Sequence, residues 1–222
     1  MRNRRELLVF SLVLAALIAQ VLRDSLFGGK ILSPADLLMV SASFRDDRGP
    51  LYEPQNRLLT DPVLQFEPWI EHNRAMLRQG RLPLWNDHAG CGVPHLANGQ
   101  SAVFDPIGLI AYLGPMPDAI AWMSALRLWI AGVGMFLLAR SWRMGRAGSW
   151  FAGLAYPFCG FITLWLLYPV TAVAIWLPWL LWTSERCLRR PTAWSMASLS
   201  LVVGLTLLAG HVHFVRFSNR DD

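Results

Sequence analysis

The chain has 222 residues, a net charge of +5 and a pI near 9.6, and it is 54% hydrophobic but only 16% charged. That balance excludes an ordinary water-soluble domain and puts a membrane protein first. Every basic residue except Lys30 is an arginine, and many stand just outside apolar runs rather than along one face. This excludes a nucleic-acid-binding surface and gives the pattern of membrane topology.

The first apolar run, Leu7 to Leu22, is interrupted only by Ser11 and Gln20. Its Leu, Ile, Val and Phe residues sum to roughly −3 to −6 kcal/mol of insertion preference. Arg2, Arg4 and Arg5 precede it, as in a signal peptide, but no A-x-A cleavage site follows, so an uncleaved anchor is expected. In the loop that runs from Arg23 to Asp118, the chain becomes rich in Pro, Gly, Asn and Asp from Leu32 onward, with turn signals at Arg48-Gly49-Pro50, Asn86-Asp87 and Ala97-Asn98-Gly99. One helix is legible inside this loop. Pro68 suits a first helical position, Glu67 and Glu71 suit the positive N-terminal end, and Gly80 suits the stop. Trp69, Asn73, Met76 and Leu77 fall on one side of it.

Four further candidate spans follow: Ala119 to Ala139, Ser149 to Leu166, Val170 to Thr183 extended toward Leu188, and Trp194 to Gly210. Each approaches the ~20 residues that cross a hydrocarbon core, the last being at the short limit. Pro157 and Pro178 predict kinks or local unwinding. The expected fold is therefore an all-α integral membrane protein with about five transmembrane helices and a large extracytoplasmic loop between the first and second. Its parts are residues 1–22 (cytoplasmic N-terminus and first helix), 23–118 (loop domain), 119–210 (helices two to five) and 211–222 (polar tail). Orientation follows from the arginines: with the N-terminus inside, the inner side holds Arg2, Arg4, Arg5, Arg140, Arg143, Arg146, Arg186, Arg189 and Arg190. Trp142, Trp150 and Trp194 fall near that inner boundary and Trp122 near the outer one. The three cysteines, Cys91, Cys159 and Cys187, have no paired spacing and indicate neither a disulfide framework nor a zinc site.

Several stretches of the loop go together: Asp61-Pro62 with Gln65, Phe66, Pro68 and Trp69; Arg81-Leu82-Pro83-Leu84-Trp85-Asn86; and Leu96-Ala97-Asn98 with Gln100-Ser101-Ala102-Val103. This set resembles the first extracytoplasmic loop of YfhO-like bacterial membrane proteins. The likeness continues more loosely through Ala131-Gly132-Val133-Gly134-Met135 and Leu208-Ala209-Gly210-His211. It implies a place in the bacterial cytoplasmic membrane and kinship with the GT-C glycosyltransferases, which use polyprenyl-phosphate-linked sugars outside that membrane. The implied partners are the lipid bilayer and such a sugar donor. Members of the family are longer, so the tail VHFVRFSNRDD after His211 suggests an N-terminal fragment. For a fragment, a non-catalytic scaffold is an alternative. A transporter or flippase, which would need polar residues at mid-depth on several helices, is another.

Transfer from a lipid phosphate needs a base for the acceptor hydroxyl and cations for the departing phosphate. The resemblance implies Asp61 as the base, since related enzymes carry an essential acidic residue in this loop. An Asp before Pro is also an ordinary turn starter. Asp46-Asp47 is a weaker candidate, set between Arg45 and Arg48. Arg127 lies eight residues into the second span, about 12 Å deep at 1.5 Å per residue, where a charge is expensive. It could clamp the donor phosphate, or it could snorkel or pair with Asp105 or Asp118. Gln65 falls in the motif that carries the resemblance, and with Asn86, Asn98 and Gln100 it completes the expected substrate-binding set. Ser101 offers similar chemistry, and such groups also cap turns. No metal or other cofactor is expected: His211 and His213 do not share a helical face, and His72, His88 and His95 have no ligand spacing.

Overall fold

The structure, a computed structural model, describes residues 2–40, 53–54 and 56–210. The Asp46-Asp47 pair, His211 and His213 and the polar tail lie outside the described residues. The described chain is mostly helical, with only two strands of two residues each, β1 (Trp85–Asn86) and β2 (Val93–Pro94).

Helix α1 (Arg2–Val21) is apolar on all sides after its charged start, yet only one stripe of it is buried. Phe10, Leu14, Ile18 and Leu22, spaced at i, i+4, pack inward, while Leu8, Leu12, Val13, Leu17 and Val21 stay exposed. A one-turn helix, α2 (Arg23–Leu26), follows. The stripe lies on α4 (Met116–Ser141), the longest helix, which also packs against α5 (Arg146–Ala155). Close approach there requires glycine. A Cβ on Gly132 would stand 2.6 Å from Leu14 Cδ2 and 2.8 Å from the Gly153 carbonyl, and one on Gly153 would meet Phe10 and Phe136. Small residues at such crossings let backbones approach and side chains interlock. Phe10 and Phe136 stack there with centroids 4.3 Å apart.

The next two segments are broken where proline removes an N–H. α5 ends before Pro157, and α6 (Gly160–Leu164) restarts after it. α7 (Pro169–Ala174) ends one turn before Pro178, which sits in the first turn of α8 (Leu177–Arg189). α9 (Ala193–Leu208) opens on a capping box between Thr192 and Ser195. Among the described residues two helices are long and apolar enough to cross a membrane: Met116–Ser141, and Arg146–Leu164 taken through its turn. α9 is apolar but spans 16 residues, and the first turns of α1 carry Arg2, Arg4, Arg5 and Glu6.

At the end of the bundle away from the loop, carboxylates fasten helices together. Glu6, 7% exposed, accepts from Arg146 Nε at 3.2 Å and faces Arg140 at 3.9 Å, tying α1 to α5 and α4. Glu185 on α8 accepts from Ser141 Oγ on α4 at 2.6 Å and pairs with Arg189.

The long loop is folded, not extended. A π-helical turn, Pro62–Phe66, leads into α3 (Glu67–Arg78), and the stop comes at Gly80 with φ of +68°, a left-handed conformation that glycine adopts freely. Its buried face carries Asn73, fully enclosed. The Asn73 amide donates to the Ser101 carbonyl at 2.8 Å, its oxygen faces His95 Nε2 at 2.7 Å, and Ser101 Oγ donates to the His95 carbonyl at 2.9 Å. This closed polar network joins α3 to the segment after β2. With the Asn73 amide committed to Ser101, His95 must carry its proton on Nε2. Burial, reinforced by the neighbouring His72, pushes the His95 pKa down to about 4, so the ring is neutral.

Candidate functional site

The site lies where the loop meets the break between α6 and α7. Asp61 precedes the π-helical turn, which closes when the Glu67 N–H reaches back to the Pro62 carbonyl. Pro62 supplies no N–H to a normal α-turn, and π-turns of this kind recur at functional sites. Asp61 is half-buried. Its Oδ1 accepts from Gln65 Nε2 at 3.3 Å and from Thr60 Oγ1 at 3.4 Å, whereas Oδ2 makes no hydrogen bond within the described residues.

Asp61 and Gln65 form one wall of a cavity of about 360 Å³, and Gln100 adds a second amide. Gln100 is held in a 3-10 turn, Gly99–Ser101, whose start is capped by Asn98 and whose exit, Ala102, has a left-handed φ of 46°. Aromatic residues form much of the remaining wall: Phe161 on α6, then Trp165 and Tyr168 from the unwound link to α7. Trp165 and Tyr168 meet edge to face at 4.7 Å, and Tyr168 also contacts Phe66. The Tyr168 hydroxyl donates to the Leu58 carbonyl at 3.3 Å, which fastens the link to the segment before Asp61.

A smaller cavity of about 40 Å³ adjoins the first through Phe66, Gln100 and Pro169 and is lined by Ser101, Asp105, Tyr112 and Arg127. Arg127 is 6% exposed. Its Nη2 pairs with Asp105 Oδ2 at 3.2 Å, and its Nη1 donates to the Leu166 carbonyl at 3.4 Å. Of the uses that the sequence leaves open for Arg127, pairing with Asp105 is the one in the structure. Asp105, 1% exposed, also accepts the Ile107 N–H through Oδ1. Arg127 Nε is buried with no hydrogen-bond partner among the described residues, and the small cavity has room for a water. Burial pushes the nearby Tyr112 hydroxyl up to about 12, with Asp105 adding to the effect, so Tyr112 stays a neutral donor. It donates to the Val103 carbonyl at 3.2 Å.

Four of the residues singled out from sequence thus converge: Asp61, Gln65 and Gln100 on the larger cavity, and Arg127 with Gln100 on the smaller. Asn86 and Asn98 line neither cavity. Asn86 is buried and turns its oxygen to the His88 N–H at 3.0 Å, while Asn98 turns its own to the Gln100 N–H at 3.2 Å. The His72, His88 and His95 rings stack edge to face, but no three His, Cys, Asp or Glu side chains among the described residues converge as a metal set. The aromatic wall had no signal in the sequence. Phe161 and Trp165 read as span interior and Tyr168 as part of a short connection between spans; the break brings all three to the cavity beside the loop.

No family model, curated protein or solved structure matches this chain.

Proposed function

We propose that the chain crosses the bacterial cytoplasmic membrane several times, with its N-terminus inside, and that its outer loop and broken helices bind a sugar carried on a polyprenyl phosphate. The first support is α1, whose exposed flank of Leu8, Leu12, Val13, Leu17 and Val21 needs an apolar surrounding that the described residues do not provide. The second is the pair of interrupted helices. Irregular backbone at membrane depth is tolerated where it is covered by protein or lines a cavity, and the α6–α7 link does both.

The observation that carries the sugar reading is the larger cavity itself. It combines an aromatic wall, on which the C–H faces of a pyranose pack, with a carboxylate and two amides that can bond its hydroxyls. The resemblance of the loop to YfhO-like proteins supports the same chemistry. In this reading Asp61 Oδ2 takes the proton from an acceptor hydroxyl, whose oxygen bonds to the anomeric carbon as the bond to the lipid phosphate breaks and the phosphate leaves with the electron pair. Gln65 holds Oδ1 and so aims the free oxygen into the cavity. Arg127 is a positioning residue, holding the Asp105 segment and the unwound Leu166 carbonyl against α4.

The test is sugar transfer in membranes that carry Asp61→Asn, supplied with radiolabelled polyprenyl-phosphate hexoses and envelope acceptors. The reading expects normal insertion with transfer lost; transfer at the unsubstituted rate removes Asp61 as the base.

A further inference from the structure

A third cavity, of about 210 Å³, lies at the other end of the bundle between the start of α1 and the end of α4. Its walls are Arg4, Glu6, Leu7, Phe136, Leu137 and Arg140. The charges are not balanced. The Glu6 carboxylate is already taken by Arg146 Nε at 3.2 Å. Arg140 stands back from it at 3.9 Å and gives its Nη1 to the Met144 carbonyl at 3.2 Å. Arg4 is exposed and has no partner among the described residues. Around one spent carboxylate stand Arg4, Arg140 and Arg146, so the rim is cationic, whereas the wall one turn deeper, Leu7, Phe136 and Leu137, is apolar.

We infer that this cavity seats one anionic phospholipid of the inner leaflet, its phosphate against Arg4 and Arg140 and the first part of an acyl chain along Leu7, Phe136 and Leu137. Charge complementarity selects the occupant. A zwitterionic lipid brings its own cation to a rim that is already positive, and a free phosphate leaves the apolar wall wet. A lipid with an uncompensated phosphate satisfies both, as basic pockets between helices on the cytoplasmic side do. The adjacent Glu6–Arg146 pair then has a second role: it removes the one negative charge that would repel the headgroup. The inference rests on the proposed membrane placement and not on sugar transfer.

The test is native mass spectrometry of the chain purified in a neutral maltoside detergent and offered equal amounts of phosphatidylglycerol and phosphatidylcholine. Preferential retention of phosphatidylglycerol is expected, weakened about fivefold by Arg4→Gln, which removes a guanidinium with no internal bond to lose. Arg190→Gln, outside the cavity, leaves retention unchanged. Equal retention of the two lipids, or undiminished preference in Arg4→Gln, overturns the site. A chain that stays monodisperse without detergent overturns the membrane placement instead, and the two failures are distinguishable.

Discussion

At the end of the bundle away from the loop, Glu6 and Glu185 are consumed by Arg146, Ser141 and Arg189, whereas at the loop end one oxygen of Asp61 has no hydrogen-bond partner among the described residues, beside a cavity of about 360 Å³. The same functional group serves two purposes, and its surroundings decide which. Where a carboxylate is enclosed and bonded to a cation on another helix, it holds elements together. Asp105 belongs with Glu6 in this respect, since Arg127 neutralises it in the interior. A carboxylate bonded through one oxygen beside a cavity keeps an acceptor for something else, and the proposed function uses it in that way.

The largest effect that sharpens this contrast is expected at Asp61. Asn has nearly the same shape and keeps an oxygen for Gln65, but it takes no proton. Losing a general base costs about 10²- to 10⁴-fold in rate, read as sugar transfer at unchanged helicity by circular dichroism. A merely structural Asp61 would instead lower stability and leave the rate per folded molecule intact.

Arg127 is predicted to behave in the opposite way. Arg127→Leu leaves Asp105 buried and unpaired, which costs about 3–5 kcal/mol. Adding Asp105→Asn should recover part of that loss, measured by thermal unfolding in detergent and by protease cleavage of the loop. Full stability in Arg127→Leu, together with lost donor binding, would return Arg127 to the role of phosphate clamp.

A smaller effect separates the loop from the helices by pH. His95 has its folded pKa lowered from 6.5 to about 4, so the opened loop binds a proton that the closed loop refuses. Stability of the loop is therefore complete above pH 6.5 and falls as pH drops toward 4, by about tenfold in the opening equilibrium per pH unit. Hydrogen-exchange protection at α3, corrected for the intrinsic pH dependence of amide exchange, should fall over that window while that of α4 does not change. An equal loss of protection in both would show that the Asn73–His95–Ser101 network is not what closes the loop.

Much of the helical framework was legible because its causes are local. The apolar runs mark α1 and α4, Pro68 and Gly80 bracket α3, and Pro157 and Pro178 mark the interruptions. The number of helices that cross the membrane is less directly read. Among the described residues only Met116–Ser141 and Arg146–Leu164 meet the length and apolarity of a span, because charges open α1, α9 is short, and a break divides α7 from α8. The site was half legible. Asp61 and Gln65 are one helical turn apart and were seen together, but Tyr168 meets the Leu58 carbonyl across 110 residues, and no periodicity encodes that contact. The Asn73–His95 bond, 22 residues apart, was hidden for the same reason: each side chain suggests surface chemistry until the fold encloses both.

The proposed sugar site requires the loop to lie outside the cytoplasmic membrane, and Cys91 provides the probe, since it is exposed in that loop while Cys159 and Cys187 are only partly so. With Cys159 and Cys187 replaced by alanine, a membrane-impermeant maleimide is predicted to label Cys91 in intact cells. Labelling that begins only after the membrane is permeabilised would place the loop inside and contradict the account.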